Sequence, residues 1–337
     1  MCIRRDSGMT PPRLHEASPL GAAPNAPSAH LMNLPSAASA APQPPVRLRF
    51  DWVNVSFLAF AHVCGVLAVL YLALVHFSWW TLGFALVWGV FCGLSITGGY
   101  HRLFAHGAYR ASLPLRLFYL MFGAASVQNS ALKWASDHRA HHAHTDSDRD
   151  PYDIRRGFFW AHIGWVMHKV PGGGVPLVDD LKQDPAVLFQ HRYYLPLAFL
   201  FGALLPMAIG MCWGDPIGTL LVAGFLRLCV QWHATFCINS LTHMFGRQPY
   251  TTRVSARDSA WVALLTFGEG YHNFHHRFQA DYRNGVRWFH YDPTKWWIWL
   301  MARTGLARGL RRVPADRIEQ ARRETTAAFA LTQDSSR

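Results

Sequence analysis

From Val55 to Val75 the chain reads VSFLAFAHVCGVLAVLYLALV, 21 residues without a charge. A helix of that length spans a hydrocarbon core of about 30 Å, and in hydrocarbon only a helix or a closed barrel satisfies its own backbone. Trp80–Thr97 and Leu195–Trp213 supply two more such runs, and Pro216–Phe236 a further apolar run that carries Arg227 and Gln231 toward its far end. The links between paired runs, His76–Trp79 and Gly214–Asp215, leave room only for tight turns. The four runs therefore read as two helical hairpins, with spans at about 55–75, 80–97, 195–213 and 216–236. Composition agrees: charged residues make up 15% of the chain, below the roughly 25% of a soluble domain. Fourteen tryptophans fit aromatic belts at a membrane surface.

Outside these runs the chain carries an unusual set of histidines. His138, His141 and His142 stand at i, i+3 and i+4, so on a helix their imidazoles share one face. His272, His275 and His276 repeat that spacing, and His101 with His106 adds a pair five apart. Imidazole is the commonest metal-binding side chain. Core packing has no need of such spacing, and eight histidines exceed what one ion can bind, so the pattern points to two metals. On a regular helix residues five apart point about 140° away from each other. Gly98-Gly99 is therefore expected to loosen the helix before His101. His62, His76 and His233, each a lone histidine, read as packed core residues.

The expected fold is all-α and integral to a membrane: four transmembrane helices in two hairpins, with a cytosolic helical cap holding a histidine-rich two-metal site. Residues 1–45 are rich in Pro, Ala and Ser, show no apolar periodicity and no secretory-type apolar core, and read as a disordered leader. Residues 46–301 form the membrane domain and 302–337 a basic tail, whose arginines from Arg303 to Arg323 suit an anionic surface. Ser112–Ser130, interrupted by Pro114 and Arg116, is expected along the interface rather than across it. Phe289–Leu300 is also expected at the interface, and Pro171–Gly174 forms a loop without the dinucleotide-binding glycine pattern. Both hairpin turns lack Lys and Arg, whereas basic flanks, histidines and termini all lie on the other side. The positive-inside rule makes that side cytoplasmic, in an inner-type membrane. The formal charge of +12 favours anionic lipid or phosphate-bearing partners, and the apolar runs argue against nucleic acid.

The histidine groups and their surroundings resemble those of the membrane fatty-acid desaturases, specifically the stearoyl-CoA (Δ9) group without a fused cytochrome. The matching stretches are TGGYHRLFAH from Thr97, DHRAHH from Asp137, RRGFF from Arg155 with HIGW from His162, and GEGYHNFHH from Gly268. Together they cover roughly residues 50–300. The resemblance implies two irons. His101, His106, His138, His142 and His275 would hold the first, and His141, His243, His272 and His276 the second. Asn239 would hold a water on the metal. Asp137 and Glu269 would accept imidazole N–H groups. His144, His162 and His168 are not carried over as ligands and read as solvated or structural.

Gln128, Asn129 and Trp134 match positions near the family's acyl tunnel, while Lys133, Arg155 and Arg156 could meet a phosphate of the carrier. Ser136 departs from the pattern, because animal relatives commonly place there an arginine that helps hold CoA. The implied activity is O2-dependent insertion of a cis double bond into a long-chain acyl-CoA, with a lipid-bound acyl chain as the alternative carrier. No haem-binding His-Pro-Gly-Gly or cysteine cluster is present, so an external ferredoxin, rubredoxin or cytochrome b5-like donor with its reductase is implied. Membrane hydroxylases and alkane monooxygenases use similar clusters and remain the alternative. A metal transporter would instead place its ligands at mid-bilayer.

Overall fold

The computed structural model describes residues 48–169 and 176–334. The expected leader and the Pro171–Gly174 loop lie outside them. Helix α1 (Trp52–Leu74) begins where Asp51 accepts the N–H of Asn54 at 3.4 Å, and α2 (Trp79–Ala105) begins where Ser78 accepts that of Thr81 at 3.2 Å. Both caps satisfy donors that a helix start leaves free.

The second span was expected to end at Thr97, but the helix continues. Its last turns, Ser95–Ala105, are wound as a π-helix. Bonds from i to i+5 replace those from i to i+4, so that His106 N–H donates to His101 O at 3.1 Å. The expected loosening at Gly98-Gly99 is thus a rewinding, which brings residues five apart onto one face. Gly99 permits it, since a Cβ there would lie 2.5 Å from the Cβ of Tyr119.

Helix α3 (Leu113–Ala125) is about 20 Å long and too short to span. It leads to α4 (Ala131–His144), capped by Ser130, and then to the short α5 (Phe158–His162) and α6 (Pro185–Arg192). The second hairpin is α7 (Tyr194–Trp213) and α8 (Pro216–Met244). Among the described residues, four helices are therefore long and apolar enough to cross a membrane, as the fold reading expected. Helix α8 runs past Phe236 without a break, carrying Asn239 and His243 beyond the apolar stretch.

At the turn end of the hairpins Asp215 is buried and accepts from Tyr71 Oη at 2.8 Å, Thr81 Oγ1 at 2.5 Å and Gly218 N at 3.0 Å. This one carboxylate ties both hairpins together. At the other end the main core gathers Tyr100, Tyr119, Leu120, Leu132 and Ile298, each removed from solvent and worth about 1.5–3 kcal/mol for a large apolar side chain.

The cap is completed by α9 (Ala260–Leu265), α10 (His272–Arg277), α11 (Pro293–Arg303) and α12 (Ala315–Asp334). Two short antiparallel pairs tie it to the spans: Arg49–Phe50 with His168–Lys169, and Arg110–Ala111 with Ala307–Arg308. Helix α11 buries Ile298 and Met301 and leaves Trp296, Trp299 and Leu300 exposed. Within the expected basic tail, α12 seats Ile318 against Tyr250 and Phe274.

Candidate metal centre

Ser130 starts α4 so that His138, His141 and His142 project from one face toward the π-helix and α10. The short α10 is set by its neighbours. Asp258 Oδ1 accepts the N–H groups of Asn273 and Phe274 at 2.8 and 3.0 Å, and buried Asn273 bonds back to Tyr250, Thr251 and Ala256. These elements bring nine imidazoles into two groups. His101, His106, His138, His142 and His275 form one, and His141, His243, His272 and His276 the other. Within each, one nitrogen per ring lies within 4.8 Å of all the others.

Every facing nitrogen is an Nε2. Separations are 3.0 Å for His101–His275, 2.8 Å for His106–His138, 2.9 Å for His142–His275 and 3.0 Å for His138–His142. In the second group they are 3.2 Å for His141–His276, 3.1 Å for His243–His272 and 3.1 Å for His272–His276.

Three of the rings have their proton held on the far side. His101 Nδ1 donates to Glu269 Oε2 at 2.8 Å, and His141 Nδ1 to Asp150 Oδ1 at 2.8 Å. His243 Nδ1 donates to Ser255 Oγ at 2.7 Å, whose own hydrogen goes to Asp146 at 2.5 Å. Their Nε2 lone pairs must therefore face inward. A proton can bridge one nitrogen pair but not four or five converging nitrogens; a cation can. Burial first, then repulsion among neighbouring rings, holds His138, His142, His275 and His276 well below the ordinary histidine range. They are neutral at pH 7, the form that binds metal. The donor set fits a pair of imidazole-preferring metals.

Glu269, three residues before His272 in sequence, backs His101 instead. Phe267 and Gly268 both take positive φ, 55° and 95°, turning the chain inward, and a Cβ on Gly268 would strike Asp292 at 2.7 Å. Burial works against the Glu269 charge, but His101 and Arg102 outweigh it and hold the carboxyl below its usual range. Asp137, expected to back an imidazole, instead accepts from Lys133 Nζ one turn away. Asp150 occupies that role at His141. It belongs to a polar loop nine residues on, and no local spacing marks it. The buried Arg102, which bonds both Glu269 and Asp292, was also not foreseen.

A cavity of about 350 Å³ opens beside the imidazoles between α2 and α8. Its walls are mostly apolar, including Ala85, Leu86, Val222 and Phe267, with the buried Arg227 among them, and it reaches His101, His138, His141 and His272. Asn239 and Trp134 line it. Trp134 stacks on His138 at 4.9 Å and donates to Gln128 Oε1 at 3.3 Å, and Gln128 donates in turn to Thr235 at 3.0 Å. Asn129 is exposed, with its N–H on Tyr194. Arg155 is paired with Asp148 and Asp153, and exposed Arg156 lies over the Trp160 ring. Lys133, held by Asp137, completes the set of residues expected to meet a phosphate.

Four apolar spans beneath two buried imidazole clusters define a multi-pass membrane protein with a site suited to two metal ions. The sequence model of the family "Fatty acid desaturase" matches residues 77–308. The chain is 46% identical over 243 residues to a "Probable acyl-CoA desaturase" of Schizosaccharomyces pombe, covering 71% of this chain and 51% of that protein. It is 41% identical to the "Delta(9)-fatty-acid desaturase fat-7" of Caenorhabditis elegans, covering 71% and 72%. Against "Stearoyl-CoA desaturase 2" of Rattus norvegicus it is 38% identical, covering 80% and 77%. The chain spans about half the length of the yeast relatives it matches. It belongs to the fatty acid desaturase family.

Proposed function

We propose that the chain is an O2-dependent acyl desaturase that inserts a cis double bond, at Δ9, into a long saturated acyl chain carried on CoA. The observation that carries this is the juxtaposition of the imidazole clusters with the largely apolar cavity. Overall, the saturated chain, O2, two electrons and two protons give the alkene and two waters. Two irons held by the nine histidines, with Asn239 orienting a water, would supply the oxidant that an unactivated C–H bond demands.

The protein's own part is positional. Arg227 and Phe267 lie against Gly89 and Gly93 of α2, and a methylene chain lying along the apolar walls between α2 and α8 would gain about 0.8 kcal/mol per buried CH2. The Trp134–Gln128–Thr235 bonds fix the indole beside His138 and so fix one wall next to the clusters. Glu269 and Asp150 hold the His101 and His141 rings in the metal-binding tautomer.

CoA as carrier is supported by the relatives' names and by exposed Arg156, though Ser136 leaves one cation fewer there. Electrons come from a separate ferredoxin, rubredoxin or cytochrome b5-like protein docking on the cap, which faces the cytoplasm. Expression in a host stripped of its own desaturases, with a matched donor, tests the reading. New cis-monoenes absent from a His272→Ala control support it, and hydroxylated lipids would move the chain to the related hydroxylases.

A further inference from the structure

The strand pair beyond the π-wound end of α2 carries two arginines directly opposite each other. Arg110 stands across from Arg308, and Ala111 across from Ala307. Opposed residues of an antiparallel pair share a face of the sheet, and successive residues alternate between faces. Ala307 is buried and Ala111 packs with it on the main core, so that face looks inward. Arg110 and Arg308 therefore share the outward face, and both are exposed. Gly305 and Gly309, with φ of 78° and 64°, turn the chain on either side of Ala307–Arg308, and Ser112 N–H donates to Leu306 O at 2.8 Å. The opposition of the two arginines is thus built into the backbone.

Like charges placed directly opposite each other on a sheet destabilise it. Among the described residues neither Arg110 nor Arg308 has an ion-pair partner. Two neighbouring acids, Asp184 and Asp281, are engaged by Arg116 and Arg283. An anion with two free oxygens can face both guanidinium groups at once and cancel their repulsion.

The surroundings select the anion. Leu113 and Leu117 of α3 and Trp296, Trp299 and Leu300 of α11 are exposed. The two helices meet through Phe118 and Trp297, whose rings lie 5.8 Å apart. Only Ser112 separates Ala111 from α3, and only Thr304–Leu306 separate α11 from Ala307. Arg303, at the end of α11, holds its guanidinium 5.2 Å from the Trp299 ring. Exposed aromatic and aliphatic side chains bordered by arginines suit the level where acyl tails give way to head groups.

We propose that Arg110 and Arg308 form a binding site for one anionic phospholipid of the cap-side leaflet. Its phosphate sits between the two guanidinium groups, and its tails lie along the exposed faces of α3 and α11. The lipid relieves the repulsion across the strand pair and so holds α11 to the segment that follows His106. The site is independent of the reaction catalysed at the metal centre.

The test reads thermal unfolding of the full chain in nanodiscs of phosphatidylcholine, with and without phosphatidylglycerol. Phosphatidylglycerol should raise the wild-type midpoint by roughly 2–4 °C. Arg308→Glu sets a carboxylate opposite Arg110 and so replaces the phosphate with a side chain. It should unfold above wild type in phosphatidylcholine alone and gain nothing from phosphatidylglycerol. Arg110→Gln should also lose the gain, whereas Arg317→Gln, which removes one exposed charge from α12, should keep it. An unchanged wild-type midpoint, or a gain that persists in Arg308→Glu, would overturn the site. Equal loss in Arg317→Gln and Arg110→Gln would overturn it in favour of diffuse charge. Inorganic phosphate or CoA raising the wild type in phosphatidylcholine as phosphatidylglycerol does, with Arg308→Glu insensitive, would overturn the lipid in favour of a soluble phosphate.

Discussion

Oε2 of Glu269 lies 2.8 Å from Nδ1 of His101, while Oε1 of the same carboxylate accepts from Arg102 at 2.8 Å. A residue of the cap thus fixes both the tautomer of a first-group histidine and the guanidinium beside it. Glu269→Ala removes both partners and leaves Arg102 with Asp292 as its remaining carboxylate. Partners of this kind are worth about 10–100-fold in metal affinity. Competition with a chelator should show the first group weakened by that amount while the second is retained.

The two aspartates on or near α4 should behave differently. Asp150 accepts from His141 Nδ1, whereas Asp137 pairs with Lys133. Asp150→Ala should lower affinity at the second group about 10–100-fold, and Asp137→Ala should leave metal content near wild type. Metal analysis of purified variants decides between them.

Asp215 should be the most sensitive single position away from the metals. Replacing it with Ala removes the acceptor of the partly buried Tyr71 hydroxyl and strands the buried Thr81 hydroxyl, the latter at about 1–3 kcal/mol for an unsatisfied group. Thermal unfolding in detergent should fall clearly, and Asp215→Asn, which keeps an acceptor, should fall less.

Asp258 carries the clearest pH signature. Burial pushes its carboxyl up to about 7 against the opposing pull of the Phe274 and Asn273 N–H groups. An acid whose folded pKa is raised stabilises fully below its unfolded value, about 3.9, and that stability is lost as pH rises through 7. Asp258→Asn keeps the acceptor without the charge. The variant should therefore gain on the wild type in unfolding temperature between pH 5 and 8, and the two curves should converge near pH 4.

The periodic parts of this architecture were legible from residue order. Four apolar runs, three of them uncharged, with two-to-four-residue links specify hairpins, and the i, i+3, i+4 spacing in α4 and α10 puts imidazoles on one face before any fold is known. Gly98-Gly99 signalled a change of helix winding, although its form, a π-helix extending the span to Ala105, depends on Tyr119 of α3 filling the space that Gly99 leaves. What stayed hidden pairs residues far apart in the chain. Arg102 meets Glu269 and Asp292 only after folding, and Asp150 reaches His141 through a loop turn. His62 and His233 read as packed core residues and His162 as solvated or structural, because the hydrogen bonds that join them depend on the packing of three separate helices.

The most direct measurement is product mass. Stearoyl-CoA fully deuterated at carbons 9 and 10 is supplied to the purified iron-loaded chain with O2, reductant and a matched donor. Desaturation there predicts a monoene that has lost two deuteriums, with the double bond between those carbons. A hydroxylated product that has lost one deuterium, or substrate recovered with all four after many equivalents of electrons, would contradict the account.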